Sequence, residues 1–123
     1  TAGAREVLVA SGERFALMHE LRGAPEPDLK QLLKLLSPVD FVLIEGFKPV
    51  PLAKIEVHRH ENGKPWLYRD DPTIVAVATD KPEDVVGISA FPLENAVAIA
   101  DCVEAHSLPF NRLLADLAAS SPD

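Results

Sequence analysis

Short apolar runs alternate with polar segments along the chain, a pattern that predicts both strands and helices. Near the N-terminus, Glu6–Ala10 and Arg14–His19 are predicted strands joined by a turn at residues 11–13, which together predict a hairpin. Phe41–Ile44 and Ile74–Ala78 are short and continuously apolar. Such runs are typical of strands buried on both faces of a parallel sheet.

Helical spacing of apolar residues predicts three helices. The first has Asp28 as its N-cap or first-turn acid and ends near residues 37–38, with apolar positions at Leu29, Leu32, Leu33 and Leu36. It would run directly into the Phe41–Ile44 strand as half of a βαβ crossover. A second helix is predicted over Ala96–Ala105. A last helix would be capped by Ser107 and has its apolar positions at Phe110, Leu113, Leu114 and Leu117.

Strict alternation of polar and apolar residues predicts one further strand, Lys54–Arg59. One face of it carries Lys54, Glu56 and His58. These side chains either form a charged wall around an anionic ligand or make up the solvent face of an edge strand, and the pattern by itself favours the solvent face. A turn at residues 61–65 follows. Together the elements predict a single α/β domain over residues 1–123, with a mostly parallel sheet, flanking helices and an N-terminal hairpin.

Composition excludes several classes of function. The net charge of −7 argues against a broad nucleic-acid-binding surface, which requires clustered Lys and Arg. Apolar runs fall short of the roughly 18 residues of a membrane span, so no membrane association is expected. Cys102 is the single cysteine, which excludes an internal disulfide and favours a reducing, cytoplasmic setting. Its place in an apolar helical pattern predicts a buried, inert thiol.

Carboxylates follow both continuously apolar strands, where the carboxyl edge of a parallel sheet binds its ligands. Glu45-Gly46 follows the first and Thr79-Asp80 the second. Glu45 would serve Mg²⁺ or a catalytic water, Gly46 would let the backbone approach a phosphate, and Asp80 would contact a base or ribose. The alternative, that polar residues simply end strands, stays open for Asp80. Lys48 is either a phosphate contact or, more simply, a solvated loop lysine.

Other chemistry is weakly indicated. His58 and His60 could project to one side, but without a third ligand at suitable spacing a metal site is disfavoured. Trp66 and Tyr68 are interpreted as packing anchors. The sequence has no Gly-x-Ser-x-Gly elbow and no Cys/His nucleophile pair, so we assign no catalytic residue. It also contains no G-x-x-x-x-G-K-[ST] phosphate loop.

The succession of blocks resembles a known family. The blocks are Ala2-Gly3-Ala4, Val7–Ser11, Phe41–Lys48, Lys54–Arg59 and Val75–Asp80. In order and spacing they are similar to the MobB family, the molybdopterin-guanine dinucleotide biosynthesis protein B family. Glu-Gly-Phe-Lys followed by Lys-Ile-Glu-Val-His-Arg is the specific part of this likeness, which covers residues 2 to about 82.

The resemblance implies a P-loop-type GTP-binding fold that uses Mg²⁺. GTPase activity should be weak at most, because no arginine finger or water-positioning residue is evident in the sequence. It implies a homodimer that assists a molybdopterin guanylyltransferase, with molybdopterin or its dinucleotide as a further ligand. By matching position, Glu45 and Gly46 would be a Walker-B-like pair that Phe47 and Lys48 complete, with Glu45 serving Mg²⁺ through the nucleotide. The family's second signature would comprise Lys54, Glu56, His58 and Arg59, and Thr79 and Asp80 would lie near the nucleotide.

In that family a strand, a Gly-rich phosphate loop, a helix and a further strand precede the Ala-Gly-Ala block. We therefore expect this chain to correspond to the C-terminal portion of such a protein. The main alternative is an interaction module that binds no nucleotide and keeps the dimer and partner surfaces. A metallochaperone GTPase or a ligase-like ATPase is a third possibility, which the sparse Cys and His and the Lys54–Arg59 signature disfavour.

Overall fold

The computed structural model of the chain describes residues 3–46 and 50–120. The chain divides into two compact units, of which one ends at Val42 and the other begins at Leu43.

The first unit opens with the predicted hairpin. Strands β1 (Glu6–Ala10) and β2 (Phe15–His19) pair antiparallel, with Glu6 opposite His19 and Ala10 opposite Phe15. The turn is closed by the Arg14 carbonyl, which accepts the Ser11 N–H at 2.8 Å. Every residue of both strands is exposed, including Leu8, Phe15 and Leu17. The hairpin thus presents apolar side chains on both of its faces.

The first helix, α1, spans Leu29–Leu33 and begins at the predicted N-cap. The Asp28 carboxylate accepts the Gln31 N–H at 2.8 Å, and the Gln31 side chain accepts the Asp28 N–H at 2.9 Å. This reciprocal capping box satisfies two backbone donors at the helix start. Leu29 and Leu33 are buried. The helix is shorter than predicted because the next N–H groups bond three residues back, as in the Leu36 N–H to Leu33 carbonyl bond.

The predicted strand at Phe41–Ile44 is wrong. Residues 41–46 form no regular element, and Phe41 and Leu43 are 51% and 79% exposed. A continuously apolar run becomes a buried strand only where neighbouring strands take its N–H and C=O groups. Among the described residues no strand pairs with this segment, so the predicted βαβ half-crossover from α1 is absent there as well.

The second unit is built on a three-stranded parallel sheet in the order β3-β4-β5. Its strands are β3 (Lys54–His58), β4 (Ile74–Thr79) and β5 (Ser89–Pro92). The central strand β4 is the most deeply buried, with Ala76, Val77 and Thr79 each at 0% exposure. Strand β5 was not predicted from the sequence, and its terminal proline is tolerated because β5 lies at an edge of this sheet.

The connection between β3 and β4, called here the crossover (residues 59–73), carries no α-helix. It contains a 3₁₀ turn at His60–Asn62, after which Gly63 takes a left-handed backbone conformation with φ 64°. Parallel strands are usually connected through an α-helix that covers the sheet with apolar side chains. Here polar side chains of β3 hold the crossover through hydrogen bonds instead.

Two helices complete the second unit. Helix α2 spans Ala96–His106 with Asn95 as N-cap, and α3 spans Phe110–Ser120. Ser107, predicted to cap the last helix, instead ends α2, where its hydroxyl donates to the Glu104 carbonyl at 2.9 Å. Cys102 is buried, as predicted. In the described part of the chain, no helix is both long and apolar enough to cross a membrane.

The predicted fold class is confirmed. A parallel sheet with helices forms one unit, and a separate antiparallel hairpin belongs to the other. The carboxyl ends of β3, β4 and β5 meet at one edge of the parallel sheet, which is where open α/β sheets bind their ligands.

Candidate functional site

The carboxyl edge of the sheet carries Thr79 and Asp80, which were predicted to lie near a nucleotide. Thr79 is fully buried at the end of β4, and Asp80, the next residue, is exposed. The Thr79 hydroxyl oxygen accepts the Lys81 N–H at 3.1 Å, which fixes the start of the β4–β5 connection. The edge is therefore an ordered polar corner from which one exposed carboxylate projects.

Asp80 also joins β4 to the residues that follow β3. Its Oδ1 accepts the backbone N–H of His60 at 2.9 Å and the Thr79 hydroxyl at 3.3 Å. The His60 N–H bond is the largest cause that lowers the pKa of the Asp80 carboxyl below its ordinary value of 3.8. Burial acts in the opposite direction, and the Asp80 N–H and then the Thr79 hydroxyl lower the pKa further. Asp80 is consequently an oriented anion at neutral pH.

The polar face of β3 (Lys54, Glu56 and His58) is turned inward, which corrects the predicted solvent face. Glu56 and His58 are 6% and 7% exposed, whereas Val57 on the opposite face is 72% exposed. Buried polar groups are stable only when they are hydrogen-bonded. In each case the partner is the protein's own chain before or after β3.

Glu56 holds the middle of the crossover. Its carboxylate accepts the Tyr68 N–H at 2.8 Å and the Leu67 N–H at 2.9 Å and 3.1 Å, one distance for each oxygen. Charge-assisted bonds of this kind are about twice as strong as neutral ones. The carboxylate thus accepts from backbone donors that would otherwise need partners within a helix or on a neighbouring strand.

His58 holds the first turn of the crossover. Its Nε2 lies 2.9 Å from the Lys64 carbonyl oxygen, and since a carbonyl only accepts, Nε2 carries the hydrogen. The ring stacks on Trp66 with centroids 3.9 Å apart and planes at 19°. Its other nitrogen, Nδ1, is buried and has no hydrogen-bond partner among the described residues.

Lys54 ties both ends of this region together. Its ammonium donates to the Thr73 hydroxyl at 2.7 Å, to the Val50 carbonyl at 2.6 Å and to the Leu52 carbonyl at 3.3 Å. These bonds use all three donors of an ammonium group. In this structure Lys54 therefore links the segment before β3 to the end of the crossover and has no donor left for an anionic ligand.

Trp66 and Tyr68 act as packing anchors, as predicted. Trp66 stacks on His58 and meets Tyr68 edge-on at a centroid distance of 5.7 Å. The Tyr68 hydroxyl oxygen accepts the Val86 N–H at 3.2 Å, so it connects the crossover to the β4–β5 connection. That bond, and next the one from Arg69, lower the pKa of the Tyr68 hydroxyl.

Glu45 and Gly46 lie in the irregular segment before β3, both exposed. Gly46 has φ 86°, a conformation that L side chains rarely adopt, so a glycine is required there. Phe47 and Lys48 lie outside the described residues. Arg59 is exposed directly after β3.

No group of three or more His, Cys, Asp or Glu is arranged to hold a metal within residues 3–46 and 50–120. The two histidines considered for such a site differ in environment. His58 is buried in β3, whereas His60 is exposed in the 3₁₀ turn. A Mg²⁺ held by Glu45 would depend on oxygens supplied by a nucleotide.

The inward orientation of the polar face of β3 was not predicted from the sequence. Alternation shows that two faces differ, but it does not show which of them is covered, and a face of Lys, Glu and His ordinarily belongs to solvent. The only available signal was the polar crossover itself, whose Gly63 and Pro65 turn residues exclude a covering helix.

The fold and the carboxyl-edge site define the class, an α/β protein with an open parallel sheet and an acidic residue at its carboxyl edge. The family model for molybdopterin guanine dinucleotide synthesis protein B, MobB, matches residues 1–80. This match includes the hairpin, Glu45-Gly46, the polar face of β3 and the Thr79-Asp80 corner. The chain belongs to the MobB family.

Two curated relatives support this assignment. The molybdopterin-guanine dinucleotide biosynthesis adapter protein of Escherichia coli (strain K12) is 37% identical over 106 residues, covering 76% of this chain and 61% of the relative. The protein of the same name from Haemophilus influenzae (strain ATCC 51907 / DSM 11121 / KW20 / Rd) is also 37% identical over 106 residues, covering 84% of this chain and 57% of the relative. The chain thus spans about three-fifths of the length of these relatives.

Proposed function

We propose that this chain forms part of a GTP-binding adapter in molybdopterin guanine dinucleotide biosynthesis. The observation that carries the proposal is the family match over residues 1–80, which includes Glu45, Gly46, Thr79 and Asp80, the residues proposed to meet the nucleotide. The two curated relatives carry the name adapter protein of the same biosynthesis. An adapter is expected to bind and present components, which agrees with the absence of a recognisable catalytic nucleophile from the sequence.

The proposed nucleotide site lies at the carboxyl edge of the sheet. Asp80 is exposed there and held by the His60 N–H, so its second oxygen is oriented for N–H or O–H groups of a base or ribose. Glu45 and Gly46 would serve Mg²⁺ and the phosphates, a role supported by the exposure of Glu45 and the left-handed backbone of Gly46. GTP hydrolysis would be slow because no arginine finger or water-positioning residue is assigned.

The proposed partners are a second copy of the chain, a molybdopterin guanylyltransferase, and molybdopterin or its dinucleotide. The hairpin supports protein partners because Leu8, Phe15 and Leu17 are 65%, 75% and 61% exposed. Contiguous exposed apolar surface of this kind commonly marks an interaction site.

Fluorescent GTP-analogue binding with Mg²⁺ tests the proposal. It would be measured on this chain and on a chain extended to the length of the curated relatives, each with and without Glu45→Ala. We expect the extended chain to bind, and Glu45→Ala to shift its Mg²⁺ requirement upward. Failure of the extended chain to bind GTP would overturn the nucleotide-binding proposal. If this chain binds the GTP analogue without the extension, that result would contradict the expectation that a Gly-rich phosphate loop is needed.

A second candidate is an interaction module that binds no nucleotide. One observation favours it, the apolar exposure of the hairpin. A pull-down with the guanylyltransferase, run with and without GTP, separates the candidates. Nucleotide-independent capture that is lost in Leu8→Ser but kept in Glu45→Ala would favour the module.

A further inference from the structure

We propose that His58 is a positioning residue, which fixes the Asp80 carboxylate at the carboxyl edge of the sheet through the turn that follows β3. The signature residues of β3 would then support the site structurally and would not contact a ligand themselves. Naming Asp80 as a nucleotide contact rests on the proposed function, whereas the positioning of Asp80 is measurable without any nucleotide.

The turn between His58 and Lys64 is closed by the His58 side chain. Within it, the Asn62 N–H donates to the Arg59 carbonyl at 3.2 Å and the Gly63 N–H to the His60 carbonyl at 3.1 Å. The left-handed Gly63 then reverses the chain, which brings the Lys64 carbonyl back over β3 to accept from His58. The buried His58 ring therefore fixes the position of the end of the turn relative to β3.

The same turn aims one backbone donor at Asp80. His60 is the second residue after β3, and its backbone N–H donates to Asp80 Oδ1 at 2.9 Å. Asp80 is exposed, so without this bond its carboxylate would be held only by local contacts such as the 3.3 Å bond from the Thr79 hydroxyl, and it would rotate more freely. The bond also accounts for the largest part of the lowered pKa of Asp80, which makes the ionisation of that residue a reporter of the geometry of the turn.

His58 itself is poorly placed to meet a ligand. It is 7% exposed, one ring face is covered by Trp66, and Nε2 is used by the Lys64 carbonyl. The remaining nitrogen, Nδ1, is buried. A ligand could reach the ring only if the crossover moved away, so a structural action through the turn is the simpler account of a polar residue at this position.

Two variants loosen the turn in different ways. His58→Phe keeps a buried ring to stack on Trp66 but removes the bond to the Lys64 carbonyl. Gly63→Ala strains the turn through its positive φ, where the added Cβ meets no atom within 4 Å. Gly63→Ala leaves every charge in place, so it separates geometry from any change in electrostatics. Gly12→Ala is the matched control because Gly12 lies in open space without a left-handed φ.

The readouts are the titration of the Asp80 carboxyl followed by carbon-13 NMR and the hydrogen exchange rate of the His60 amide. In both variants we expect the Asp80 pKa to rise toward 3.8 and the His60 amide to exchange about tenfold faster. Gly12→Ala should change neither. A general loss of stability would also accelerate the exchange of the β4 amides, which the same hydrogen exchange measurement reports.

An unchanged Asp80 titration in folded Gly63→Ala and His58→Phe would overturn the positioning role. Should His58→Phe fail to fold, Gly63→Ala decides the question, because its substituted position is exposed. GTP-analogue binding to the extended chain is measured separately. If Asp80 responds as expected but no nucleotide binds, the proposed function fails and the positioning stands.

Discussion

The carboxylate of Glu56 and the backbone N–H of Tyr68 lie 2.8 Å apart, and the Leu67 N–H donates to the same carboxylate. A buried strand side chain thus satisfies two consecutive backbone donors of a connection that has no helix of its own. This arrangement explains how the crossover stays ordered with few buried apolar residues. It also gives Glu56 a physical role that does not require a ligand.

Glu56→Gln should destabilise the second unit by about 2 kcal/mol. Glutamine offers one acceptor oxygen, and its NH₂ group would face an N–H donor, so at most part of the three contacts survives. Trp66, the only tryptophan, lies in the crossover, and its fluorescence during urea unfolding reports the change.

The control for that change is Glu104→Gln, which removes the same charge from an exposed position on α2. It should change the free energy of unfolding, obtained from the same urea titration, by less than about 0.5 kcal/mol. Equal midpoints for the two variants would mean that the Glu56 contacts add nothing to stability.

Lys54→Met should lower stability by about 1 to 2 kcal/mol, because three oxygen acceptors lose a charged donor in a half-buried place. Lys64→Met, an exposed lysine of the crossover, should have little effect in the same urea titration. Were Lys54 a phosphate ligand instead, its replacement would leave unfolding unchanged and would weaken GTP-analogue binding to the extended chain.

Local sequence patterns predicted much of this fold because they reflect interactions between residues that are close in the sequence. The hairpin turn, the Asp28 cap and β4 each depend on residues within a few positions of one another. The failures concern long-range neighbours. Phe41–Ile44 has the composition of a buried strand but lacks a pairing strand among the described residues. The polar face of β3 has the composition of a solvent-exposed face, but the crossover covers it.

The candidate site was likewise predicted only in part. Thr79 and Asp80 were placed correctly at the end of a parallel strand, since a strand end can be read from composition. The bond from the His60 N–H to Asp80 could not be predicted, because it joins residues 20 positions apart. The register that aligns His58 with Thr79 creates that neighbourhood.

Asp28→Ala should loosen the start of α1. It removes the capping acceptor of the Gln31 N–H and costs about 1 kcal/mol, so the Gln31 and Leu32 amides should exchange roughly fivefold faster. Asp28→Asn keeps a good capping oxygen and should leave both rates near those of the unmodified chain. Equal acceleration by the two substitutions would show that charge, not the cap, is responsible.

Acid should weaken the second unit through Asp71. The Asp71 carboxylate accepts the Thr73 hydroxyl and, at 2.9 Å, the Thr73 N–H, and these bonds lower its pKa below the ordinary 3.8. A carboxyl whose pKa is lower in the folded state contributes stability that is fully present above its unfolded pKa. That contribution is lost as the pH falls through the lower folded value.

Urea midpoints followed by Trp66 fluorescence between about pH 7 and pH 3 test this effect. Asp71→Asn should be less stable than the unmodified chain at neutral pH, and the gap should narrow as the pH falls below 3.8. Asp70→Asn removes the same charge one residue away and is the matched control, so its midpoints should follow those of the unmodified chain throughout. A gap between Asp71→Asn and the unmodified chain that stays constant across this range would contradict the assigned ionisation, because an uncharged contact carries no such pH dependence.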